Sequence, residues 1–197
     1  MKVHIVKGNS KLGNTPNIST MPGLDCGKDV PCRKECYARK FLWRSSVRKA
    51  WSENSWLQKH KPDTYFGSIH GYLIRKDPQY FRIHVAGDFS SQETLDRWSD
   101  LIRDVPDTAF LAFTKRFDLD FSQTPLNLMV RASMWPGWKP PGISPVLKSD
   151  WSFFWMQDKQ GSETRIPWRT AFKCPGACEN CRACWSKVPR DVVVMKH

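Results

Sequence analysis

Seven cysteines gathered into two groups, one toward each end of the chain, constrain this sequence more than any other feature. An odd number cannot all pair, and clustered cysteines in a reducing compartment read as metal ligands or catalytic thiols before disulfides. The first group is Cys26-x5-Cys32-x3-Cys36, followed by Tyr37 and Ala38. Three thiolates on a loop leading into a helix suit three irons of a cubane, with the fourth iron left open for a ligand. The competing reading is one zinc ion completed by a distant His or Cys.

The second group is Cys174-Pro-Gly-Ala-Cys178-Glu-Asn-Cys181-Arg-Ala-Cys184, followed by Trp185. Zinc sites more often use two cysteine pairs separated by a longer loop, which lets the chain surround a tetrahedral ion. Close serial spacings fit iron–sulfur loops better, in which three neighbouring thiolates take one cubane and a fourth cysteine ligates elsewhere. Cys174 therefore either joins Cys178, Cys181 and Cys184 on one cluster or stands apart from them. The reading is a 4Fe-4S cluster, one or two per chain, with zinc as the alternative.

Between the groups the hydrophobic period changes. Trp43, Val47, Ala50, Trp51 and Leu57 recur at helical spacing and predict a helix over 37–60 with a buried stripe. A second helix is expected from Asp63 to Lys76. Tyr80 to Val85 reads as a strand that stops at Ala86-Gly87-Asp88. Ser90 with Glu93 forms a capping box for a helix burying Leu95, Trp98, Ile102 and Val105, ended by Pro106 and Asp107. Ala109 to Phe113 is an apolar run expected of a covered parallel strand. Further strands are expected at Leu126 to Ala132, Trp151 to Met156 and Val192 to Met195, with a proline-bearing loop from Trp135 to Ser149. Strand, helix, strand units predict α/β architecture as one domain over 1–197: a partial or open β/α barrel with a mainly parallel sheet, plus a cysteine-rich C-terminal segment at 174–185.

Residues 1–61 hold 13 Lys or Arg against 4 Asp or Glu, so most of the net charge of +12 sits in that third. Lys40, Arg44 and Arg48, four apart, stack as a basic ridge. This permits an anionic partner such as nucleic acid, while a solvated face is the commoner explanation. The apolar stretch Val3–Val6 is too short for a signal-peptide core, and no run approaches the roughly 20 residues that cross a bilayer. A cytoplasmic protein without membrane attachment is the expectation.

The motifs resemble the phage-encoded gene product eighty-eight family, whose features are similar to those of radical S-adenosylmethionine enzymes. Cys26, Cys32 and Cys36 with Tyr37-Ala38 look like its N-terminal motif. Phe81-Arg82-Ile83-His84 and Gly87-Asp88-Phe89-Ser90 look like its central strand and turn, and Phe113-Thr114-Lys115 like its next strand end. Cys174-Pro175-Gly176, Cys178, Cys181, Cys184-Trp185 and 191–197 match its C-terminal signature. The resemblance implies host-cell cytoplasm and a radical-enzyme-like fold. It also implies S-adenosylmethionine as a ligand of the open iron, although the spacing here, x5 then x3, differs from that superfamily's usual x3 then x2. Ala86-Gly87-Asp88 stands where that superfamily contacts its cofactor.

His84, Gly87, Asp88 and Lys115 are accordingly the cofactor-binding candidates. For His84 the competing reading is a hydrogen-bonded core residue, for Asp88 a helix-entry residue, and for Lys115 and Arg116 a solvated pair. Trp43, Trp51 and Trp98 read as core, while Trp135, Trp138 and Trp185 either shield a cluster or stack on a base. Two functions remain: a redox or radical-type enzyme, and a noncatalytic zinc or cluster protein binding nucleic acid or a host protein through its basic N-terminal third.

Overall fold

The computed structural model describes residues 1–138, 153–157, 171–186 and 191–195. Its centre is an eight-stranded sheet: β1 (Ile5–Val6), β2 (Asn17–Ile18), β3 (Tyr80–Ile83), β4 (Ala109–Thr114), β5 (Leu128–Met134), β6 (Phe153–Gln157), β7 (Phe172–Lys173) and β8 (Val192–Met195). The spatial order is β1-β2-β3-β4-β5-β6-β8-β7, and every pairing except β1 with β2 is parallel. The mainly parallel α/β architecture expected from the strand and helix periods is therefore present. The proline-bearing loop lies outside the described residues beyond Trp138, and so does the start of the strand expected at Trp151.

Helices α1 (Ser45–His60), α2 (Pro62–Lys76) and α3 (Gln92–Arg103) carry the chain between β2 and β4. Alternate strand residues build the core against them: Phe81 and Ile83 of β3, Phe110 and Ala112 of β4, and Leu128, Val130 and Ala132 of β5. These pack with Tyr65, Phe66, Ile69 and Leu73 of α2 and Leu95, Trp98 and Ile102 of α3. Trp98 is fully buried, edge-on to Phe66 at 5.5 Å. Strand alternation sends Leu111 to the opposite face, where Leu12 and Trp185 cover it. A short helix, α4 (Cys178–Cys181), belongs to that second layer.

Several local expectations are corrected. The first helix does not begin at Tyr37: residues Tyr37–Phe41 form a 3-10 turn, and α1 starts at Ser45. Trp43 precedes the helix and is 74% exposed, and Trp51 is only half-buried, so neither is core. The buried face of α1 is instead Asn54, Ser55, Leu57 and Gln58. Its polar members bracket the N-terminal strands. Asn54 accepts from the His4 amide at 2.8 Å and donates to the Ser19 carbonyl at 2.9 Å. Ser55 accepts from the Met21 amide at 2.7 Å and donates to Asp25.

The cap of α3 is Ser91 rather than Ser90, accepting from the Thr94 amide at 3.2 Å. Ser90 is drawn away by Gln58, which donates to it at 3.1 Å. The fifth strand runs two residues later than expected. Among the described residues no helix is long and apolar enough to cross a membrane.

Candidate functional site

The carboxyl ends of β2, β3 and β4 meet around one carboxylate. Asp88, just past β3, accepts from the Phe89 amide at 2.8 Å, the Thr114 hydroxyl at 2.7 Å and the Lys115 amide at 2.9 Å. It thereby ties the end of β3 to the end of β4. Burial raises its pKa even so, with the three hydrogen bonds opposing. Gly87 makes the turn at φ +85°, and a Cβ there would stand 2.0 Å from the Thr20 hydroxyl, so glycine is demanded by both torsion and space. Lys115 reaches across to donate to Ser133 at 2.8 Å. Arg116 is structural: it pairs with Asp118 at 2.7 Å and donates to the Phe89 carbonyl at 2.6 Å.

The N-terminal cysteine loop lies over this edge. An added Cβ on Gly27 would come 3.0 Å from the Arg116 side chain, and the Tyr37 hydroxyl donates to the Val85 carbonyl. Cys26 accepts from the Gly23 amide at 3.4 Å. Its thiol is pushed up to about 12, chiefly by burial, with the charges of Asp88, Cys32 and Cys36 adding to the shift. Burial also raises Cys32, while Lys115 opposes it. The structure thus brings Cys26, Cys32, Cys36, Asp88 and Lys115 within electrostatic reach of one another.

His84 is not beside Arg82 on one strand face. The strand ends at Ile83, and His84 takes φ +51°, which breaks the two-residue alternation. Its ring faces the helix layer, 5.0 Å from the Phe89 ring and 6.1 Å from Trp98, and among the described residues neither ring nitrogen has a hydrogen-bond partner. Burial, with Arg82 second, lowers its pKa to about 3 and keeps it neutral.

Arg82 faces the other way. Its guanidinium is buried, lies over the Phe113 ring at 3.9 Å, and leaves Nη1 without a partner among the described residues. Burial lowers its pKa to about 10, opposed by Tyr37, Cys184, Cys178 and Asp88. It therefore sits between the two cysteine groups. Sequence reasoning passed over it as a site residue; a lone cation inside the run Tyr80–Val85 was the available signal.

The C-terminal cysteines dock on the sheet face opposite the helices. The Cys178 amide donates to the Lys11 carbonyl at 2.7 Å, and Glu179 accepts from the Asn14 amide at 3.2 Å. Arg131 of β5, also missed in the sequence, donates to the carbonyls of Cys184 at 3.1 Å and Ser186 at 2.9 Å. Cys174, Cys178, Cys181 and Cys184 all line one shallow depression of about 20 Å³, closed partly by Trp185. Burial pushes Cys184 up to about 12 and raises Cys178, while Arg82 counteracts both shifts and Arg131 the first. Trp185 is buried against Tyr80 at 5.7 Å, and Arg182 stacks on both rings.

None of the seven thiols is in a disulfide. Among the described residues no three His, Cys, Asp or Glu side chains converge tightly enough to enclose a single metal ion.

Residues 5–187 match the family model described as Gene product 88. The chain is 33% identical over 130 residues to the Gene 88 protein of Mycobacterium phage L5, covering 57% of this chain and 53% of that protein. It is 32% identical over 130 residues to the Gene 88 protein of Mycobacterium phage D29, with the same coverage. The chain spans about half the length of these curated relatives. No solved structure matches it.

Proposed function

The chain belongs to the Gene product 88 family, and from that premise we propose that it is an iron–sulfur cluster-binding protein of this phage type. The single observation that carries the reading is the gathering of Cys174, Cys178, Cys181 and Cys184 around one depression. Four cysteines complete a 4Fe-4S cluster, so in this reading Cys174 joins the other three. A thiolate-ligated cluster is anionic, and Arg82 and Arg131 supply positive charge beside Cys184. Trp185 keeps water from one side of it. The chemistry a cluster supplies when bound is one-electron transfer.

Cys26, Cys32 and Cys36 hold a second cluster in this proposal and leave one iron open to a ligand. The Gly87–Asp88 turn and Lys115 border that position, and S-adenosylmethionine is the ligand the radical-enzyme resemblance brings. The monotonic strand order from β2 to β6 suits an incomplete β/α barrel of that kind. Zinc demands thiolates about 2.3 Å from one shared ion. The ligands of a cluster bind different irons, and the close serial spacing of Cys178, Cys181 and Cys184 favours iron–sulfur over zinc.

The test is iron, zinc and acid-labile sulfide on protein purified without oxygen. About four irons and four sulfides per chain support one cluster, and about eight of each support two. About one zinc without sulfide overturns the reading and makes the cysteines structural.

A further inference from the structure

Trp43 is 74% exposed and Phe41 is 42% exposed, on a segment anchored by the buried Ala38 and the half-buried Leu42. Exposed aromatic side chains this large forgo about 25 cal/mol for every Å² left in water, so a cluster of them marks a surface that something covers. The Arg44 guanidinium lies 5.1 Å from the Trp43 ring centre and 5.8 Å from that of Phe41, so one cation holds both rings in place.

The surroundings select the partner. Residues 30–50 contain seven Lys or Arg and one Glu. Arg33, Lys34, Arg39, Lys40, Arg44 and Arg48 are exposed, and among the described residues none of them forms an ion pair. The arginines are gathered locally: Arg48 donates to the Leu42 carbonyl at 3.4 Å and Arg39 to the Arg33 carbonyl at 3.5 Å. A second copy of this chain would set this cationic ridge against itself in a two-fold interface. A lipid surface is met by an amphipathic helix with a continuous apolar face, and the five-residue turn Tyr37–Phe41 with Trp43 presents none. A polyanion that also presents flat π-faces satisfies both features.

We propose that Phe41, Trp43 and Arg44, flanked by Arg39, Lys40 and Arg48, bind single-stranded nucleic acid by base stacking and phosphate contact. The inference does not rest on the cysteine sites, although the turn that carries Phe41 starts at Cys36, whose carbonyl accepts from the Arg39 amide at 3.2 Å.

The experiment is fluorescence anisotropy with a labelled oligodeoxythymidylate and the full chain at its native metal content, across a salt series. Trp43→Ala should weaken binding about ten-fold and leave the salt slope unchanged, because stacking carries about 1–3 kcal/mol per base. Arg44→Gln should reduce the salt slope by about 0.7, the share of one phosphate contact on a single strand. Both side chains are on the surface, and unchanged circular dichroism checks that both variants fold. Equal affinity of the Trp43→Ala variant, or tighter binding of polyglutamate or phosphatidylserine vesicles than of the oligonucleotide, overturns the proposal.

Discussion

The Arg82 guanidinium lies 3.9 Å from the centre of the Phe113 ring, and its Nη1 donates to none of the described residues. A buried cation in this state loses hydration at that nitrogen and gains the ring's quadrupole, worth about 2 kcal/mol when desolvated. Desolvating an ion costs several kcal/mol, so the ring alone leaves a deficit. Thiolates at Cys178 and Cys184 are the groups placed to make it up.

Arg82→Met therefore separates two states of the protein. Methionine keeps an unbranched stem and a favourable sulfur contact with Phe113. Metal-free protein carrying this change should be at least as stable as the parent in urea unfolding. Metal-loaded protein should release iron faster under a chelator. A metal-free variant destabilised by several kcal/mol would show instead that Arg82 is held by its protein neighbours alone.

The cysteine partition is tested by paired substitution. Cys178→Ser with Cys184→Ser should remove one cluster's complement of about four irons, leaving whatever Cys26, Cys32 and Cys36 hold. Cys26→Ser with Cys32→Ser should spare the C-terminal complement. Iron and sulfide assays on both proteins check this, and loss of all iron from either pair would mean that the two groups share one site.

What could be read from the chain beforehand follows from which signals are local. Tyr65, Ile69 and Leu73 of α2 and Leu95, Trp98 and Ile102 of α3 face the sheet as their spacing indicates, because both helices bury apolar stripes. The inward face of α1 was hidden because Asn54 and Ser55 serve as brackets for loops some 30 to 50 residues away, and no periodicity encodes that. The direction of His84 was hidden by one left-handed torsion at a residue other than glycine. Cysteine spacing announced two groups. It could not place Arg82 between them, since that requires Tyr37, Cys178 and β3 to be brought together by the fold.

Gly87→Ala should be costly for two separable reasons. The methyl group would meet the Thr20 hydroxyl at 2.0 Å, and φ +85° strains any residue with a Cβ. A loss of about 2–3 kcal/mol is expected in denaturant unfolding, within the range of sites that combine steric and backbone strain. Adding Thr20→Ala should restore part of it and leave about 1 kcal/mol, the backbone share. No restoration in the double variant would mean that the Thr20 Cβ and backbone, 3.2 and 3.3 Å from the same point and both kept by alanine, are the real obstacle.

His84 makes stability fall with acid. Its folded pKa is lowered from 6.5 to about 3, first by burial and then by Arg82. The unfolded chain therefore takes up the proton first as pH drops. The stabilisation is complete above about 6.5 and is lost as pH falls toward 3, because protonation pulls the equilibrium to the unfolded side. Between pH 7 and 5 this one group should remove about 2 kcal/mol of unfolding free energy. Buried Asp25 and Asp88, with raised pKa values, act in the opposite direction, so the parent's total slope is a net of both. The difference between parent and His84→Asn isolates the imidazole, since asparagine accepts the left-handed backbone and does not titrate. Urea unfolding of both proteins at the two pH values should give a flatter acid dependence for the variant by about that amount. Parallel profiles would mean that His84 is protonated in the fold and has a partner that its aromatic surroundings do not supply.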